Sequence, residues 1–156
     1  MLFLLFSSGD GRYALDTATV AEVVHLVRII RIPQSPHYVA GLINYRGNPI
    51  PVIDLCAFLS NVQSCQKRFS TRIIIITYAF TDGGKEFIGL IAEGVVETLK
   101  TDQLTNHDSK ILFENSVLRK SDDHSSEEMI QHFDIYQMLP EKQVAEIFSK
   151  HLIHHA

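Results

Sequence analysis

The sequence predicts a mainly β fold, and three observations carry that reading. Short apolar runs rich in β-branched residues recur from residue 2 to residue 99, each broken by a cluster of Gly, Pro, Asp or Ser. Turn chemistry recurs between them, at Ser7-Ser8-Gly9-Asp10-Gly11, Gly47-Asn48 and Asp82-Gly83-Gly84. A helical start appears only near the end, where Pro140 opens the stretch 141–152. Many short strands at close spacing suit a barrel or a sandwich. The chain has 156 residues, 46% hydrophobic and 21% charged, which fits one globular domain with a sizeable core.

Taken in order, residues 2–6 and 13–15 form a hairpin pattern around the Gly/Asp cluster. Residues 20–32 carry Val20, Val23, Val24, Val27, Ile29, Ile30 and Ile32, a strand composition that Pro33 and Pro36 stop. Residues 41–55 give a second hairpin, with Gly47-Asn48 supplying the positive φ angles of a tight turn. Pro49 and Pro51 cannot donate ladder hydrogen bonds, so the returning strand should begin as an edge or at a bulge. If that turn centres on Gly47-Asn48, Asp54 lies opposite Gly41, far along the ladder from Arg46. Residues 61–69 are polar and read as a loop. Ile73 to Ile76 is a continuous run suited to a strand covered on both faces. Residues 87–92 and 95–99 add two strands around Gly94, a candidate bulge. Residues 119–128 have the composition of a mobile polar loop, 129–139 hold a further strand and a helix start, and 150–156 form a His-rich tail.

Charge is uneven. The whole chain is −4 with neutral His. Residues 22–72 hold six basic residues against Glu22 and Asp54, a net +4, while residues 101–142 hold nine acidic against four basic, a net −5. The overall sign disfavours unaided binding to a phosphate backbone. No apolar run is long enough for a membrane helix, and residues 1–6 lack the charged start of a signal peptide. Cys56 and Cys65 show no CxxC or Cys/His pattern and are expected to be reduced thiols of a cytosolic protein. There is no GxSxG, phosphate loop, HExxH or dinucleotide fingerprint, so no catalytic residue is assigned and the chain is not expected to be an enzyme. His151, His154 and His155 cluster at the end, and on a helix residues 151 and 155 would share a face able to hold a metal, but a solvated tail is the expectation. Asp122, Asp123, Glu127 and Glu128 do not fit calcium-loop spacing. No metal or cofactor is expected.

The stretch Gly-Leu-Ile-Asn-Tyr-Arg-Gly-Asn-Pro-Ile-Pro-Val-Ile-Asp-Leu, residues 41–55, closely resembles the signature of the CheW-like chemotaxis coupling family. Phe3-Leu4-Leu5-Phe6 with Tyr13-Ala14-Leu15, Val20-Ala21-Glu22-Val23-Val24, Thr71 to Ile76 and Gly89 to Val95 resemble other segments of that family in the same order. The resemblance covers residues 3–100. It implies one CheW-like domain over 1–156, made of two small five-stranded SH3-like barrels that share a hydrophobic interface, with a short C-terminal helix. The subdomain boundary is not assignable from the sequence. It further implies a non-catalytic scaffold adaptor in two-component chemosensory signalling. Such an adaptor couples chemoreceptor cytoplasmic tips (of methyl-accepting chemotaxis proteins) to the regulatory domain of a CheA-type histidine kinase. The protein would be cytoplasmic and would reach membranes only through receptors. Ser70-Thr71-Arg72, the stretch Gly89 to Gly94 and Glu97-Thr98-Leu99 look like the adaptors of Wsp-like surface-sensing systems.

By the same resemblance Val20, Glu22 and Arg46 map to the receptor- and kinase-facing surface. Arg46 suits that role because a guanidinium makes planar bidentate contacts with carboxylates. Gly41, Gly47, Asn48 and Asp54 are expected to be structural turn residues. Val95 and Val96 are expected in the core. Two departures stand out. Cys56 follows Asp54-Leu55 where the family often has Arg, and residues 111–118 lack the usual glycine. A small β-barrel binding nucleic acid or another ligand is the alternative. It needs a basic groove interleaved with aromatics, which Tyr38, Tyr45, Phe58 and Phe69 do not provide in any regular pattern.

Overall fold

The first hairpin forms where the Gly/Asp cluster places it. In the computed structural model, which describes residues 2–9, 11–60, 64–100, 104–106, 117–120 and 128–151, β1 (Leu2–Ser8) pairs antiparallel with β2 (Gly11–Asp16). Asp16 then caps a 3-10 turn at Thr17–Thr19 by accepting from the Ala18 N–H. β3 (Val20–His25) is shorter than its composition suggested. The chain leaves the sheet after His25, and the apolar residues up to Ile32 do other work.

β4 (Val39–Tyr45) and β5 (Asn48–Asp54) make the second hairpin. Its turn lies one residue earlier than expected. Tyr45 pairs with Asn48, so the two loop residues are Arg46 (φ 51°) and Gly47 (φ 83°), both left-handed as a type I′ turn requires. Asn48 is the first residue of β5. Gly41 is accordingly opposite Val52, and Asp54 pairs with Ile91. Pro49 and Pro51 face only β4, because the third neighbour begins at Val52, so the prolines do sit on an edge.

After β5 comes a helix that the strand pattern concealed, α1 (Leu55–Ser60). β6 (Arg72–Ala79) and β7 (Lys85–Ala92) follow, joined by the Asp82-Gly83-Gly84 turn. Then come β8 (Gly94–Lys100), β9 (Leu104–Asn106), β10 (Val117–Lys120) and β11 (Glu128–His132). Arg119 and Lys120 therefore end a strand, and Glu128 starts the one paired with it. Of the expected 119–128 loop, residues 121–127 lie outside the described residues, as do His154, His155 and most of the segment 111–118. α2 (Ile135–Met138) and α3 (Glu141–His151) are the last described elements, the latter opened by Pro140.

Among the described residues the strands form two sheets. One runs β3-β6-β7-β5-β4, five strands with β5 and β7 parallel. Ile30 and Leu42 exchange backbone hydrogen bonds of 2.8 Å, so the chain leaving β3 meets the far edge strand and curls the sheet towards closure. The other runs β8-β1-β2-β11-β10-β9, six strands where five were expected, with β11 parallel to β2. The five-stranded unit is thus a continuous insertion, residues 20–92, within a sheet built from both ends of the chain. The register of β1 on β8 shifts between Leu4 and Phe6, and Gly94 itself sits where the chain passes from one sheet to the other.

Strand alternation divides the apolar residues among three cores. On β6, Ile73 and Ile75 fill the interior of the five-stranded unit, while Ile74 and Ile76 point into a cluster shared by both sheets. On β1, Leu4 and Phe6 join that shared cluster, while Phe3 and Leu5 pack with Ala14 and Ile130. Ile135 of α2, Leu139 just after it, and Val144, Ile147 and Phe148 of α3 cover the shared cluster. The Ile73–Ile76 run is fully buried for this reason. Val95 packs against the shared core, and the side chain of Val96 lies outside the described residues.

The two cysteines correct a sequence expectation. Cys56 and Cys65 are joined by a disulfide, with Cα atoms 4.9 Å apart. Asp54 brings them together: its carboxylate accepts from Ala57 N at the start of α1 and from Cys65 N at 3.0 and 3.1 Å. The pairing is thus set by a contact eleven residues apart in sequence.

Candidate functional site

The β4–β5 turn presents Arg46. Gly47 takes a positive φ, and its N–H donates to Asn44 Oδ1 at 2.9 Å, which fixes the loop. The Arg46 side chain is 70% exposed and stands 5.1 Å over the ring of its neighbour Tyr45. Tyr45 is buried by packing edge-on to Phe87, with centroids 5.3 Å apart.

Glu22 arrives from β3. The β3–β6 register shifts by one residue between Val20 and Glu22, so Val20 pairs with Ile76 and Glu22 with Ile75. The shift sends the two side chains to opposite faces. Val20 packs against the shared core. Glu22 reaches the rim of the five-stranded unit, where Tyr45 Oη donates to its Oε2 at 2.7 Å and Arg46 Nη2 lies 3.4 Å from the same oxygen. Two of the three sequence-assigned surface residues are thus in contact, and Val20 stands apart from them.

The electrostatics of this cluster follow from its hydrogen bonds. The Tyr45 hydroxyl is raised above its ordinary value, first because its proton is held by Glu22 and next because burial disfavours the phenolate, with Arg46 opposing. The ion pair itself is solvated on both sides and contributes at most about 1 kcal/mol. Arg46 can therefore exchange its internal partner for an external carboxylate at little cost, while Tyr45 keeps Glu22 in place. The sequence names Tyr45 only within the 41–55 stretch and among the aromatics, with no site role. Its one signal was its position beside Arg46 at the turn.

The other assigned residues are structural in their contacts. A Cβ on Gly41 (φ 147°) would lie 2.1 Å from the Ile30 carbonyl oxygen, the atom of the closing bridge. Asp54 caps α1 and holds Cys65. Glu93, also unassigned, ties the sheets together at their crossing. Its N–H donates to Ser7 O, and its Oε1 accepts from Gly9 N at 3.1 Å. Among the described residues one His/Cys/Asp/Glu group is close enough to suggest a metal, Asp54 with Cys56 and Cys65, and there the sulfurs are bonded to each other.

The site's surroundings match a known family. A model described as "CheW-like domain" matches residues 2–142. The chain belongs to the CheW-like family. It is 29% identical over 128 residues to the chemotaxis protein CheW of Bacillus subtilis, covering 82% of this chain and 75% of that one. Against the CheW of Klebsiella aerogenes it is 28% identical over 97 residues, 62% of this chain and 55% of the other, so the chain spans little more than half of that relative's length. The crystal structure of the scaffolding protein TtCheW from Thermoanaerobacter tengcongensis superposes with a TM-score of 0.67 at 29% identity, covering 91% of this chain and 89% of that chain. The expected fold class is borne out: mainly β, two sheets sharing an apolar core, and a C-terminal helix.

Proposed function

We propose that this chain is a non-catalytic adaptor that couples chemoreceptors to a CheA-type histidine kinase in chemosensory signal transduction, working in the cytoplasm and reaching membranes through the receptors. The observation that carries this reading is the family match across residues 2–142, supported by a fold shared with a scaffolding protein over 91% of the chain. The Glu22–Tyr45–Arg46 rim is the proposed contact point. It offers an exposed guanidinium, a carboxylate held in register and a turn rigid enough to present both. Small barrel surfaces bury limited area, so affinity for the kinase regulatory domain should be moderate.

Co-purification of the cognate kinase regulatory domain with the folded chain tests the reading, followed by titration with a receptor cytoplasmic fragment. Binding to both supports it. Failure to bind either with correctly folded protein overturns it.

A further inference from the structure

A cavity of about 240 Å³ opens beside the disulfide. Its walls include Leu26 from the segment after β3 and the Cys65 side of the bond, and Arg31, His37 and Lys67 also line it. Cys65 lines this cavity and Cys56 does not; Cys56 Sγ lies 3.2 Å from Glu93 Oε1. We propose that Cys56–Cys65 is a reversible dithiol–disulfide site whose exchange partner is a small anionic thiol entering through this cavity.

Three features fit reversibility. First, Asp54 holds the Cys65 amide and the first turn of α1 independently of the sulfur bond, so the two sulfurs stay adjacent after reduction and the bond can re-form. Second, acceptors stand ready for both thiols, Glu93 Oε1 for Cys56 and the Ile91 carbonyl, 3.5 Å away, for Cys65. Third, Arg31 and Lys67 bring positive charge to this cavity, which favours an anionic reagent there. Asp54 also lines the cavity, and its negative charge offsets one of these two cations and leaves the other.

The exchange balances in two steps. A thiolate attacks Cys65 Sγ, forming a mixed disulfide there, and the Cys56 sulfur leaves as a thiolate that takes a proton from solvent. A second thiol then attacks the outer sulfur, releasing the small-molecule disulfide and leaving Cys65 as a thiol. Two small thiols are oxidised, and the protein disulfide gains two electrons and two protons.

The test uses the purified full chain, without kinase or receptor, so its outcome is independent of the coupling reading. Protein isolated in air and unfolded with a maleimide should take up no label, and after treatment with mercaptoethanesulfonate it should take up two. Each rate of reduction is divided by the same thiol's rate on a small model disulfide. The anionic mercaptoethanesulfonate should then exceed the cationic cysteamine by about threefold or more at low salt, the gap closing as salt rises. The disulfide of mercaptoethanesulfonate should modify Cys56→Ser protein, through Cys65, several-fold faster than Cys65→Ser protein. Two free thiols in air-exposed protein, a bound zinc ion released on labelling, or equal normalised rates for the two reagents would each overturn the proposal.

Discussion

Arg46 carries a side chain at a backbone position that favours glycine, with φ 51°. A non-glycine residue there costs on the order of 1 kcal/mol. This gives a clean way to separate binding from folding. Arg46→Ala should weaken kinase or receptor binding by about 2 kcal/mol if the guanidinium is desolvated at an interface. Its stability should change by no more than about 1 kcal/mol, the limit for an exposed pair. Arg46→Gly should lose the same binding yet match or exceed the parent in urea denaturation, because it relieves the turn. A variant that unfolds early in step with lost binding would make Arg46 a structural residue. Tyr45 makes a second test at this scale. Its folded value lies above the ordinary 10.0, so the stability tied to its proton is complete below about pH 10 and is lost as pH rises through the raised folded value. Tyr45→Phe should therefore flatten the decline in unfolding free energy on the alkaline side, and Glu22→Gln should bring the Tyr45 absorbance titration back towards 10.

At the level of elements, what the sequence showed and what it hid divide by distance along the chain. The hairpins were legible because their causes are local: Gly47 within the turn, and alternating apolar residues on either side. The sequence still places this turn one residue too late, because Asn48 is as good a left-handed residue as Arg46 is a poor one, and only the Tyr45–Asn48 pairing decides between them. α1 was hidden because six residues are too few to show helical period, and its cap, Asp54, ends a strand. The disulfide was hidden because it depends on Asp54 turning the chain back to Cys65. The meeting of Glu22 with Tyr45 depends on a register shift in β3 that no pattern in residues 20–25 announces. These non-local contacts should be expensive to break. Gly41→Ala places a Cβ against the Ile30 carbonyl and should destabilise by about 2 kcal/mol or more, read as a lower urea midpoint with unchanged slope. Asp54→Ala removes a helix cap and leaves the buried Cys65 N–H without its acceptor. It should cost about 2–3 kcal/mol, while Asp54→Asn, which keeps one acceptor oxygen, should cost less.

Across the whole molecule, the shared core decides whether two sheets behave as one unit. Leu4, Phe6 and Leu15 enter it from the six-stranded sheet, Ile74, Ile76, Tyr78 and Leu90 from the five-stranded one, and Phe133, Ile135 and Phe148 from the C-terminal segment. The Tyr78 hydroxyl donates to Leu139 O at 2.7 Å, and burial first, then Glu141, raises it above the ordinary tyrosine value, so it stays protonated and bonded through neutral pH. Because residues 20–92 are an insertion in a sheet made from the segments on either side of them, neither sheet can lose this core without exposing Ile74 and Ile76 of β6. Thermal unfolding should then be a single transition, with calorimetric and van't Hoff enthalpies equal. Phe6→Ala and Phe133→Ala, on opposite sides of one T-shaped ring contact with centroids 5.7 Å apart, should each cost about 3–5 kcal/mol. Their double variant should cost less than the sum, because the second deletion enlarges a cavity already made. Hydrogen exchange supplies the decisive reading. If the shared core couples the sheets, Phe6→Ala should lower protection in β6 and β7 as much as in β1 and β2. Loss confined to β1 and β2 would mean that the five-stranded unit is stable alone and that the interface is a docking contact between independent barrels.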